Sequence, residues 1–105
     1  MSGVAAGDFS HLFALQRPIG VDPTSYTVID AAVWGGIRAV RGYEALRFGV
    51  TASEGHRVIS IHWRDDLRAT DRLSETDTDR RFEVVAYDDP TDEFAQLDVL
   101  VVEAL

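Results

Sequence analysis

The sequence predicts an all-β domain: a small β-barrel of about five to six antiparallel strands, with one long loop or short helix between strands two and three. Three observations carry this prediction. Residues 56–64, His-Arg-Val-Ile-Ser-Ile-His-Trp-Arg, alternate strictly, with Ile59, Ile61 and Trp63 on one face and Val58, Ser60, His62 and Arg64 on the other. That is the period of a strand with one buried face. Other β-prone segments recur along the chain, separated by Gly, Pro and Asp turn signals. At most one short stretch has helix-forming composition. Closure into a barrel removes exposed sheet edges, which makes it the economical arrangement; an open sandwich is the alternative.

Taken in order, residues 1–8 form a tail and residues 9–105 a single domain. Residues 9–17 alternate, with Phe9, His11, Phe13 and Leu15 on one side and Leu12, Ala14 and Gln16 on the other. Pro18 ends this first strand, because proline cannot donate to a ladder. Residues 20–25 are a turn. Residues 26–40 are a second extended segment, rich in Val, Ile and Trp. Gly35-Gly36 inside it suggests a bulge or bend. Trp34 falls opposite Val33 and Ile37, so either both faces are covered or a bulge resets the register. Residues 41–55 break the alternation; residues 43–49 suit a helical turn or two. Residues 56–64 are strand three. Residues 65–79 are polar, with a short strand at Asp71-Arg72-Leu73. Residues 80–87 are strand four, 88–92 a turn, and 95–104 strand five.

The chain has 105 residues and no cysteine, which excludes disulfides and thiolate metal sites. A domain of this size buries roughly 60–70% of its unfolded surface and needs no staple. No apolar run reaches the ~18 residues of a membrane span, and the first residues lack the pattern of a secretory signal. The expectation is a protein that is intracellular when made. The formal net charge is −8, and all ten basic residues are arginine. That balance opposes tight binding to nucleic-acid phosphates. It suits a surface over which a polyanion slides without sticking.

Chemistry is sparse. His56 and His62 share a strand face but lie about 20 Å apart, and His11 is elsewhere, so no metal site is expected. The aspartates lack a calcium-loop frame. No nucleophile elbow, Walker loop or dinucleotide fingerprint is present, and neither an enzyme nor a cofactor is expected. Trp34 near Arg38 and Arg41, and Trp63 beside Arg64, offer base stacking in an OB-like barrel that binds single-stranded nucleic acid or a small ligand. Core tryptophans with rim arginines are the plainer reading. Long loops in compact domains are usually functional, so residues 41–55 are the first place to look for function.

The ordered landmarks resemble the head-tail joining, or head-closure (stopper), proteins of long-tailed phages and gene transfer agents. They are Phe13-Ala14-Leu15-Gln16-Arg17-Pro18, Val33-Trp34-Gly35-Gly36-Ile37, Gly42-Tyr43-Glu44, the strand 56–64, Asp71-Arg72-Leu73, Phe82-Glu83-Val84, Asp88-Asp89-Pro90, and Val99-Leu100-Val101-Val102-Glu103. Gly35 replaces the usual alanine, and His62-Trp63 replaces Arg-Tyr. The resemblance implies a structural ring in the particle neck, six- or twelve-fold, assembled in the host cytoplasm. Its implied neighbours are an adaptor or portal ring on one side and a tail terminator or tail-tube protein on the other. Double-stranded DNA would pass through the lumen without sequence specificity. Within the long segment, Gly42, Glu44, Arg47, Gly49 and Glu54 are the expected lumen or interface residues. Arg41 and Arg47 are the expected nucleic-acid contacts.

Overall fold

Alternation along the strands sets which side chains share the interior. A computed structural model describes residues 9–20, 25–48, 55–89 and 93–104. The elements are β1 (His11–Pro18), β2 (Tyr26–Ala39), α1 (Gly42–Phe48), β3 (His56–His62), β4 (Arg72–Glu75), β5 (Arg81–Asp88) and β6 (Gln96–Ala104). The six strands form a closed barrel in the order β1-β2-β3-β6-β5-β4, and every neighbouring pair is antiparallel. The barrel and its six strands are those the sequence predicts. The expected tail, residues 1–8, lies outside the described residues.

The interior is filled by Phe13 and Leu15 of β1, Val33 of β2, Ile59 and Ile61 of β3, Leu73 of β4, Phe82 and Val84 of β5, and Leu97, Val99 and Val101 of β6, with Leu67 from the β3–β4 connection. Phe13 and Phe82 meet edge to face, with centroids 6.1 Å apart. Antiparallel order puts the β1–β2, β3–β4 and β5–β6 connections at one end of the barrel. The opposite end carries α1, the β4–β5 turn and residue 104.

Strand β2 departs from the sequence expectation in two ways. Register against β1 is broken between Phe13 and Leu15 and again between Leu15 and Gln16. From Phe13↔Val33 to Gln16↔Val28, three steps on β1 span five on β2, so β2 holds two extra residues there. Gly35-Gly36 is not the bulge: its register with β3 is unbroken, Gly35↔Ile61 and Gly36↔Ser60. Gly35 answers a different need. A Cβ there would stand 2.9 Å from the Ser60 carbonyl oxygen and 3.0 Å from Ile61 Cγ2. Glycine lets β2 lie flat on β3 as the barrel bends. Trp34 then points outward and is 50% exposed, so its face is neither covered nor reset.

β4 has four residues, yet it closes the barrel against β1 through Phe13↔Glu75, Ala14↔Ser74, Leu15↔Leu73 and Gln16↔Arg72. So short a ladder is reinforced by side chains. Arg17 grips the fully buried Asp71 carboxylate with two bonds, Nε to Oδ1 at 2.8 Å and Nη2 to Oδ2 at 3.0 Å. It also donates to the Asp66 carbonyl at 2.6 Å. Arg72 Nε donates to Gln16 Oε1 at 2.6 Å, and its guanidinium lies 3.5 Å over the Tyr26 ring. Asp71 further accepts the Arg68 N–H at 2.9 Å. Gln16-Arg17 and Asp71-Arg72 are thus one crossed clasp. Bidentate pairing of this kind suits a planar guanidinium and fails for lysine.

Two outcomes follow for stability. Asp71→Asn leaves the Arg17 charge without its partner and is expected to cost about 3 kcal/mol in urea unfolding; an unchanged midpoint would remove the clasp from the account. Gly35→Ala is expected to cost about 1–3 kcal/mol through overpacking against a backbone oxygen. Gly42→Ala, where a Cβ meets nothing within 4 Å, serves as the neutral comparison.

Candidate functional site

The barrel carries a second buried layer outside β3 and β6. Val58 and Leu100 pair in register and are fully buried, although they lie on the face opposite Ile59 and Val99. Beside them, Arg38 of β2 is opposite Val58, and Ser60 is opposite Asp98. Asp98 accepts from Ser60 Oγ and from Gln96 Nε2, both at 2.8 Å. Arg38 lies 3.5 Å from Asp98 and places both terminal nitrogens on the Glu44 carboxylate.

Glu44 thereby ties α1 to the barrel wall. Its Oε1 also accepts the Arg41 N–H at 3.0 Å, while its own N–H donates to the Arg41 carbonyl at 3.0 Å. That reach back to the residue before the helix is half of a capping box, and an acid in the first turn suits the helix dipole. Glu44 is only 1% exposed. The Arg38 guanidinium, against the cost of burial, holds its carboxyl below the ordinary 4.5, and Glu44 raises the Arg38 pKa in return.

The expected lumen and interface residues divide accordingly. Glu44 is an internal strut, not a surface group. Gly42 opens α1 and is exposed, as is Arg41, whose Nη1 donates to the Tyr43 hydroxyl at 2.9 Å. Arg47 lies within α1; Gly49 and Glu54 lie outside the described residues. Two residues that the sequence did not mark as site residues stand out instead. Tyr43 is 60% exposed and Leu46 83%. Three apart, they share one helix face, turned away from the side that Glu44 fastens. The legible signal was a tyrosine and a leucine at helical spacing beside an acid that must find a partner.

A third cluster sits at the β4–β5 turn. The Glu75 carboxylate is nearly buried, 2.5 Å from His11 Nδ1 and 2.5 Å from the Thr78 hydroxyl. Burial pushes its pKa up, but these bonds outweigh burial and hold it below the ordinary value. Arg80 forms two 2.9 Å bonds to Glu103, which likewise holds the Glu103 carboxyl down. At the far end, Arg64 bridges Asp66 and Asp30, the latter at 3.0 Å.

This distribution bears on the tryptophan–arginine pairs of the sequence. Arg38 is committed to Glu44 and Asp98, and Arg64 to Asp66 and Asp30. Trp63 packs edge to face on Phe94, with centroids 5.1 Å apart. Trp34 is not a core residue. A cleft of about 180 Å³ separates Asp30, Val33 and Trp34 from His62, Trp63 and Arg64.

The comparisons with known proteins agree with this barrel. A family model described as phage head completion protein matches residues 5–105. The solution structure of protein SF1141 from Shigella flexneri 2a superposes with a TM-score of 0.69 at 22% identity, over 96% of this chain and 97% of that one; it establishes likeness of fold. No curated protein matches the chain.

The lowered carboxylates set an acid limit. Glu44, Glu75 and Glu103 bind protons less readily folded than unfolded. Their stabilisation is complete above the unfolded value near 4.5 and is lost as pH falls through the lower folded values. Urea midpoints are expected to hold from pH 7 to about 5 and then to drop. Glu44→Gln should lower stability at pH 7 by about 1–3 kcal/mol and flatten the acid drop. A wild-type acid slope in that variant would mean Glu44 is not one of the groups responsible.

Proposed function

Because the chain belongs to the phage head completion protein family, matched over residues 5–105, we propose that it closes the filled head as a ring in the neck of a phage or phage-like particle. In this reading the ring sits between the adaptor or portal side and the tail side, and double-stranded DNA runs through its lumen. The protein is a virion component with a structural role. The observation that carries the reading is the family match over nearly the whole chain, on a barrel whose helix α1 is fastened through Glu44 while presenting Tyr43 and Leu46 outward.

Physical chemistry supports the finer points. Head-to-tail contacts that close on themselves need two complementary patches on each subunit. An acidic protein, at net charge −8, offers DNA a wall that repels rather than holds it. The end of the barrel bearing α1 is the best candidate for contact with the lumen or a neighbouring ring. In and just before α1, Arg41, Tyr43 and Leu46 are exposed, and Glu44 and Arg38 give them a fixed base.

Loss of the gene is expected to leave DNA-filled heads that lack tails or leak DNA, separable from complete particles on a density gradient. Tyr43→Asp with Leu46→Asp should reproduce that phenotype at least tenfold below wild-type particle yield, while the purified variant keeps its circular dichroism and urea midpoint. Normal yield from the folded variant would take α1 out of the assembly surface. Normal particles from the gene deletion would count against the head-closure role itself.

A further inference from the structure

Strand β2 changes partners midway. It is in register with β1 from Tyr26 to Gly35 and with β3 only from Gly35 to Ala39. Over residues 26–34 its other edge therefore has no ladder partner among the described residues. β3 has already turned away: the Trp63 N–H donates to the Ala95 carbonyl at 3.2 Å, so the chain beyond His62 follows β6. The cleft between β2 and residues 62–64 is the opening left by that split.

The free edge is apolar. Val28 is 52% exposed, and Ile29 and Trp34 are exposed beside it. Its one charge, Asp30, pairs at 3.0 Å with Arg64, which it shares with Asp66. Proteins usually blunt such an edge with lysine or proline; residues 27–34 contain neither. Asp30 Oδ1 covers the Ala32 N–H at 2.9 Å and leaves the stretch before it open. A second partial edge lies on β5. Its ladder to β4 runs to Arg72↔Glu83 and ends with the Val84 N–H on the Asp71 carbonyl at 3.1 Å. Val85 and Tyr87, past that point, are exposed.

We infer that the β2 edge of one copy pairs with residues 85–87 of β5 in the next copy. This rests on the ring reading above, since repeated use of two different edges is what generates a ring instead of a two-fold dimer. Charge selects a second copy as the occupant. Two molecules of net charge −8 approach most readily through neutral faces, and residues 27–29 and 85–87 are uncharged. Strand addition supplies main-chain bonds and covers Val28, Ile29, Val85 and Tyr87 together.

The cysteine-free chain makes the test clean. Ile29→Cys and Tyr87→Cys single variants are mixed and oxidised, or bridged with a short bismaleimide where the register sets the thiols further apart. The expected product is a mixed dimer joining one of each, and the double variant should give a ladder ending in one closed species. Val28→Lys in the double variant, at an exposed position that leaves the barrel folded, should cut cross-linking at least tenfold. Dimers formed only within each single variant would overturn the pairing in favour of a symmetric contact. Rings detected by mass without the cross-link would overturn the pairing and leave the ring reading standing. A chain that stays monomeric at millimolar concentration also overturns the pairing, and microscopy of the particle then decides the ring separately.

Discussion

The barrel depends on its seam. Five of the six strand contacts join β2, β3, β6, β5 and their neighbours in an open sheet; the ladder from β1 to β4 makes that sheet a closed barrel. A strand of four residues has little main-chain pairing with which to hold closure, and an isolated ladder of that length is marginal. The Arg17–Asp71 and Gln16–Arg72 contacts supply what the ladder lacks, and Asp71 also organises the connection leading into β4. Closure in turn puts Phe13, Leu73 and Phe82 into one interior and fixes the wall on which Arg38 and Glu44 seat the helix.

Four of the ten arginines serve this molecule inward. Arg17, Arg38, Arg64 and Arg80 each clamp one or more carboxylates of their own chain. The surplus of acid over base then faces solvent or neighbours. A protein that lines a DNA channel gains from that arrangement, because cations on the wall would bind phosphate and slow the strand.

Much of this was legible in the residues. Strict alternation identified β3, and Ile59 and Ile61 are buried as it requires. The apolar set of β1 was equally plain. The ordered motifs pointed to the family that the matched model bears out. Other features were hidden because they depend on partners distant in sequence. Val58 reads as a solvent-facing residue until Leu100 and the Arg38–Glu44 pair cover it. Glu44 looks like a loop acid until Arg38, on another element, claims it. The glycine pair in β2 carried the right signal with the wrong cause: close approach to Ser60, with the bulges displaced to residues 28–33. Gln-Arg-Pro and Asp-Arg-Leu were each visible as motifs, but only the antiparallel register of β1 with β4 shows them to be two halves of one contact.

Head closure by this barrel, as proposed, requires that it assemble in the neck of the particle. Electron microscopy of the intact particle, with the barrel fitted into the density between portal and tail, tests it most directly. The expected density is a ring of copies there, lumen around the DNA path, at a resolution where the exposed Trp34 and the α1 helix can be placed. Density for this chain elsewhere in the particle, or a neck built without it, would rule out a head-closing role in the neck.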